Sequence, residues 1–312
     1  MGNRNSENKH HPILTTVALA SIPVAFVSLA NRKFKKIFKV DRSYLEQDII
    51  STLPDDFTID AYETYADQNI DWYKNSNLIH KTINSFDGYV QDGVLIKNHE
   101  GHKYVLLAHD YGQDRYALLH QAHLFDDLGF NVLMIDLRGW GDSEGEYTTL
   151  GFKESLDILA WVNTLKQDDE LSSVGLYGVG LGASSVILAA EHLNETNLSF
   201  VISDCAYASI VDEIEYLADS KMYTSLICSK VKSVLNFDLN ETKILESVAK
   251  IDVPTLFIHG EKDVAVPCQN TLSLYENCNA KKELLIIEDS QHGYNCYRDG
   301  YKECIQNFTE NL

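Results

Sequence analysis

The residues with chemical potential lie where the apolar run Leu176-Tyr177-Gly178-Val179-Gly180-Leu181-Gly182 enters the Ala-rich segment 183–192. A strand that turns sharply into a helix, with glycines at this spacing, has the form of a nucleophile elbow, Gly-x-Ser-x-Gly. The central position here is Gly180. Glycine carries no hydroxyl, so it cannot attack a carbonyl. The elbow residue sits in a strained backbone conformation that glycine adopts at little cost. Loss of the serine would therefore relax the fold while removing its chemistry, the usual trade between stability and activity.

The elements around this turn alternate regularly. Strands are expected at 81–86 and 94–98, with turns at Asp87-Gly88 and Asp92-Gly93. Further strands are expected at 104–109, 132–136, 174–177, 200–204, 255–259 and 283–287. Helices are expected at 116–128, 152–165, 183–192, 269–277 and 300–311. Short continuous apolar strands between amphipathic helices predict an α/β chain with a mostly parallel central sheet covered on both faces. Residues 206–250 break the rhythm with two or three helical patterns and no clear strand. An insertion there, above the C-terminal ends of the strands, would form a helical cap over the site.

The 312 residues carry a formal net charge of −20, spread unevenly. Residues 1–42 hold 8 Lys and Arg against 2 Asp and Glu, leaving 18 basic and 44 acidic residues in the rest. An acidic body lacks the clustered Lys and Arg that phosphate backbones need, which argues against nucleic acid as a partner. The six cysteines, Cys205, Cys228, Cys268, Cys278, Cys296 and Cys304, form no C-x-x-C pair. They read as buried free thiols rather than zinc ligands or a redox motif, with disulfides left open. No metal or cofactor motif is present.

Residues 13–30 contain no charged side chain. At 1.5 Å per residue they would span roughly 27 Å, just short of a typical hydrocarbon core. Arg32, Lys33, Lys35, Lys36 and Lys39 follow, interleaved with Phe34, Ile37 and Phe38. This pattern predicts a single N-terminal membrane-anchor helix with a basic-aromatic stub at the headgroups, so that residues 13–39 contact the membrane. A cleaved signal peptide ending at Ser28-Leu29-Ala30 is the rival, weakened by a poorly charged n-region. The flanking charge favours a cytoplasmic domain. The division expected is an anchor and basic stub at 1–42, a lead-in at 43–80, and the α/β domain at 81–312 with its cap at about 206–250.

Four segments carry a resemblance. Leu106-Leu107-Ala108-His109-Asp110-Tyr111-Gly112 is similar to a strand ending in H-G-x-G. Asp136-Leu137-Arg138-Gly139-Trp140-Gly141-Asp142-Ser143-Glu144-Gly145 is similar to a D-x-R-G-x-G-x-S-x-G loop. Phe257 to Pro267 is similar to an acid loop, and Ser290-Gln291-His292-Gly293 to a histidine loop. In this order the chain resembles the α/β-hydrolase superfamily, near its membrane-anchored, serine aminopeptidase-like members from Firmicutes. The resemblance covers roughly residues 80–312. It implies an α/β-hydrolase fold and a Ser…Asp…His triad at Gly180, Asp263 and His292, with Asp263 orienting His292 as general base. It also implies oxyanion-hole donors at the backbone N–H groups of Leu181 and Tyr111. The residue before Tyr111 departs from the pattern: Asp110 stands where glycine is usual. Its carboxylate would lie near the developing negative charge and repel it by some kcal/mol.

Two functional classes follow. The first is a membrane-anchored α/β-hydrolase-fold protein, esterase- or peptidase-like in ancestry, that is catalytically impaired and binds a small-molecule, lipid or peptide ligand beneath its cap. The second is an active carboxylic ester or peptide hydrolase using His292 and Asp263 with water or another nucleophile. Ser184 and Ser185 lie one turn into the helix, too far from the elbow for productive attack, and Cys205 reads as structural. An engineered Ser→Gly variant of an active enzyme is disfavoured by Asp110, which a single engineered change would have left as glycine.

Overall fold

The computed structural model describes residues 26–43, 59–168, 173–193, 197–239 and 242–312. Among them α1 covers residues 26–38. There follow α2 (Ile59–Asn75), β1 (Leu78–Asn84), β2 (Val90–Ile96), β3 (Lys103–Ala108), α3 (Leu119–Asp127), β4 (Asn131–Ile135) and α4 (Phe152–Asp168). The elbow joins β5 (Ser173–Val179) to α5 (Leu181–Ala190), and β6 (Leu198–Asp204) comes next. Then come α6 (Ile210–Ala218), α7 (Lys221–Leu235), α8 (Ile244–Val248), β7 (Thr255–Gly260), α9 (Gln269–Asn277), β8 (Lys282–Ile287) and α10 (Tyr301–Glu310).

The strands form one eight-stranded sheet in the order β1-β2-β4-β3-β5-β6-β7-β8. The β1–β2 and β2–β4 pairs are antiparallel and every other pair is parallel. Successive side chains alternate between the two faces of a strand. Along β3, Tyr104, Leu106 and Ala108 therefore join one core, and Val105 and Leu107 the other. The first core takes in Trp161 of α4, Ile187 of α5 and Leu274 of α9. The second takes in Phe125 of α3 and Tyr301, Ile305 and Phe308 of α10. Burial on both faces explains why β3, β4 and β5 read as unbroken apolar runs.

The first hairpin differs from expectation. Its turn is at Asp87-Gly88, where Ser85 N donates to Tyr89 O and Gly88 has φ 90°. Asp92-Gly93 does not turn and lies inside β2. Gly93 is needed because Trp161 and Met134 O crowd its Cα, leaving about 3 Å to a Cβ. Asp92 is held by Arg115, whose guanidinium donates to it at 2.5 Å and to Asp136 at 2.8 Å.

Residues between β6 and β7 fold as helices. The Ser209 hydroxyl caps α6 by accepting from Asp212 N, and the Ser220 hydroxyl caps α7 by accepting from Met222 N. Between them Asp219 turns the chain at φ 49°. Helix α8 returns to the sheet layer, where Val248 joins the core with Ile187.

The N-terminal stub is corrected. Phe34, Ile37 and Phe38 do not face headgroups; all three are buried in the first core. Tyr111 Oη donates to Ile37 O at 3.1 Å, Thr148 N to Phe38 O at 2.9 Å, and Lys33 Nζ to Ala218 O at 2.5 Å. Phe26 stacks on Tyr223 of α7 with centroids 4.8 Å apart. Desolvating three large apolar side chains outweighs the attraction of the neighbouring lysines for lipid, and the lysines remain at the surface. Residues 13–25 of the expected span lie outside the described residues. No described helix is long and apolar enough to cross a membrane.

Candidate active site

The elbow is built by close approach. A Cβ on Gly178 would lie 2.3 Å from Gly182 C, and one on Gly182 would lie 2.1 Å from Ala108 O. Both glycines let α5 pack tightly against the ends of β3 and β5. Gly180 has φ 52° and ψ −111°, a conformation side chains rarely adopt. Its N–H donates to Asp204 O at 2.8 Å and its carbonyl accepts from Ser184 N at 3.1 Å.

Asp110 follows β3 and its backbone is fixed from below. Burial pushes the His109 pKa down to about 4, so the ring is neutral. His109 Nε2 accepts from Leu137 N at 2.9 Å, which leaves Nδ1–H to donate to Asp110 O at 2.7 Å. The Asp110 side chain turns inward. Oδ1 accepts from Leu181 N at 2.7 Å, and Oδ2 accepts from His292 Nε2 at 2.8 Å. The carboxylate thus occupies an expected oxyanion donor and faces the histidine where a serine hydroxyl would lie.

Asp263 follows β7 and its side chain is fully buried. Oδ1 accepts from Ala265 N and Val266 N at 2.9 and 2.8 Å, and Oδ2 accepts from His292 Nδ1 at 2.5 Å. Burial opposes the charge of Asp263, but hydrogen bonds from His259 and His292 outweigh it and hold its pKa well below the usual range. Gly180, Asp110, Asp263 and His292 are therefore brought together at the C-terminal edge of the sheet.

His292 has a carboxylate oxygen on each ring nitrogen. A neutral imidazole has only one N–H and would leave one nitrogen lone pair against a carboxylate. Burial favours the neutral ring, yet the charge and hydrogen bond of Asp110, with the hydrogen bond to Asp263, raise the His292 pKa well above its ordinary value. The resting ring is an imidazolium. An imidazolium cannot take a second proton, so a general-base role would require the ring to give up one of its two protons first.

The other nucleophile candidates are engaged elsewhere. Ser184 Oγ donates to Tyr207 O at 3.2 Å and Ser185 Oγ to Leu181 O at 2.7 Å, both inside α5 and fully buried. Burial and the charge of Asp204 push the Cys205 thiol up to about 12, so it is not a thiolate. All six cysteines are free thiols. Among the described residues, two clusters have ligand atoms close enough for a cation: Cys205 with Asp263 and His292, and Asp92 with Asp136 and Asp142. In the first, His292 Nδ1 is hydrogen-bonded to Asp263 Oδ2, and in the second the Arg115 guanidinium pairs with all three carboxylates.

Sequence reasoning missed Glu213 of α6. Burial, then the charge of Asp110, push its carboxyl up to about 7, while His292 pulls it down. Glu213 sits three residues after Ile210 and next to Ile214, both buried, which places it beside the inward face of α6. That spacing was the available signal.

A strand–glycine–helix turn flanked by a paired acid and histidine, on a mostly parallel sheet, defines an α/β-hydrolase of the serine-hydrolase type. Residues 116–309 match the prolyl oligopeptidase family, and the chain belongs to it. It is 29% identical over 265 residues to the uncharacterized protein YqkD of Bacillus subtilis, covering 81% of this chain and 87% of that protein. It is 27% identical over 217 residues to the uncharacterized membrane protein YNL320W of Saccharomyces cerevisiae, covering 68% of this chain and 72% of that one. The structure of the Pyrococcus furiosus esterase Pf2001 superposes with a TM-score of 0.63 at 24% identity, covering 76% of this chain and 93% of the esterase.

Proposed function

We propose that this chain is an α/β-hydrolase-fold protein in which acyl transfer through serine is lost and whose capped site binds a small-molecule, lipid or peptide ligand. One observation carries the reading: the Asp110 carboxylate is on Leu181 N and His292 Nε2 at once, beside a glycine in the serine position. A carbonyl substrate would find no serine, an occupied oxyanion donor and a protonated base. Each alone removes a large part of the rate enhancement. The rival reading, water activated by His292, asks an imidazolium to accept a proton.

Membrane attachment ahead of the packed stub, through the charge-free run that begins at residue 13, is part of the proposal. It is supported by the charge-free run 13–30 and by the name of the yeast relative. The test of the catalytic reading is a fluorophosphonate probe, which needs an activated hydroxyl. The wild-type protein should remain unlabelled, and labelling of any serine would refute the reading.

A further inference from the structure

We infer that the seam between α1 and α7 is a docking face for an anionic lipid bilayer, made by the folded domain itself. The inference rests on the proposed attachment ahead of the packed stub and adds a second contact to it.

Helix α7 is tied to the start of α1. Phe26 stacks on Tyr223 with ring centroids 4.8 Å apart. Lys33 Nζ donates to Ala218 O, just ahead of α7, and Lys230 Nζ donates to Asn31 Oδ1. The charge-free residues 13–25 lead directly into Phe26. A bilayer that holds this run therefore lies beside α7.

The seam has the apolar surface that such a neighbour would cover. Thr224, Ile227, Val231 and Leu235 turn one face of α7 inward. Met222, Leu226 and Val234 fall on a different i,i+4 row, shared with Lys230, and stay exposed, Met222 by 61%. Val27 and Leu29 of α1 are exposed as well. A single exposed apolar side chain is ordinary, but a group on two joined helices marks an interaction surface.

The charge has the matching sign. Residues 26–38 hold four Lys and Arg, residues 221–235 hold three, and neither segment holds an Asp or Glu. This stands against 44 acidic and 18 basic residues after position 42. Lys221 and Lys232 pair with Glu215 and Asp238, so the outward field comes chiefly from Arg32, Lys35 and Lys36, which are exposed on α1. Basic side chains around an apolar strip suit anionic headgroups, with the apolar tips reaching the acyl boundary. An acidic protein surface would match the cations, but it would not account for an apolar run entering the same seam.

The full-length chain is reconstituted into vesicles of phosphatidylcholine alone and into vesicles holding about 30% phosphatidylglycerol. Flotation reports attachment. Hydroxyl-radical oxidation of Met222, read by mass spectrometry, reports docking. Tyr116, exposed beside the second core, is the reference. Met222 should oxidise at least about threefold more slowly in the anionic vesicles, relative to Tyr116. Salt at about 1 M, where the Debye length is about 3 Å, should remove the difference without releasing the protein. Arg32→Glu with Lys36→Glu should do the same at low salt. Flotation with equal Met222 oxidation in both vesicles, or a difference that survives the double variant, would overturn the inference and leave the attachment reading standing. Flotation with neither vesicle would remove the attachment reading and this one with it.

Discussion

Asp110 and Gly180 exclude one another's alternatives: a Cβ on residue 180 would lie 1.9 Å from Asp110 Oδ1 and 2.3 Å from its Cγ. The glycine at the elbow and the aspartate in the neighbouring loop are thus one steric unit. Any side chain at 180 must expel the Asp110 carboxylate from Leu181 N and His292.

This alters what restoring the serine should do. From sequence alone, Gly180→Ser would be expected to regain weak reactivity. With Asp110 in place, the new Cβ and the carboxylate compete for one volume, so the single variant should stay unlabelled by fluorophosphonate. Gly180→Ser with Asp110→Gly should label. Stability should follow the same coupling. Gly180→Ala is expected to cost about 1–3 kcal/mol from backbone strain alone, and less of the total cost should remain once Asp110 is also glycine. Urea unfolding of the four members of the cycle measures it.

The charged clamp on His292 gives a defined pH dependence. The histidine pKa is raised by folding, so its contribution is complete below about 6.5 and is lost as pH rises through the folded value. The Asp263 pKa is lowered, so its contribution is complete above about 3.9 and is lost as pH falls. The clamp should therefore support the fold most between these limits. Asp110→Asn should lower the His292 pKa, read by NMR of the ring protons. The stability difference between wild type and Asp110→Asn should be larger at about pH 5 than at about pH 9.

Glu213 should show the opposite sign. Its carboxyl is pushed up to about 7 from 4.5, so folding disfavours its charge. The penalty is absent below the unfolded value and grows as pH rises to the folded one. Glu213→Gln should be more stable than wild type above neutral pH, by up to about 3 kcal/mol, and equal to it near pH 4. Denaturant midpoints at the two pH values decide this. An equal gain at both would mean that Glu213 is not titrating against the site.

Where the N-terminus is cut should matter. Removing residues 1–25 should release the protein from membranes in cell fractionation while leaving a folded domain. Removing residues 1–42 should also strip Phe34, Ile37 and Phe38 from the core. Losing a buried aromatic side chain costs about 3–5 kcal/mol, and two are lost here, so the shorter chain should unfold or aggregate. Thermal melts of the two truncations separate anchoring from packing. A shorter chain with an unchanged melt would show that α1 is dispensable.

Much of the site was legible because its signals are local. The alternation of apolar strands and helices gave the sheet and its order of elements. Glycine spacing marked the elbow, since glycine adopts φ 52° with ψ −111° at little cost and a Cβ would block the approach of Gly178 to Gly182. The late acid and histidine loops marked Asp263 and His292. The Asp92-Gly93 turn failed for the converse reason: a local turn signature was overridden by Arg115 and Trp161, which come from distant segments.

The amino-acid sequence by itself determined the fold class, the missing hydroxyl at Gly180 and an odd aspartate at 110. Only the tertiary structure decided what that aspartate does. Its two decisive partners, Leu181 N and His292, are 71 and 182 positions away, and no periodicity reports a contact at that range. The same holds for Glu213, whose charge is coupled to Asp110 and His292, and for Phe34 and Phe38 in the core. Their side-chain types suit a solvated surface or a lipid interface equally well. Their roles follow from which surfaces remain to be covered once the sheet has formed.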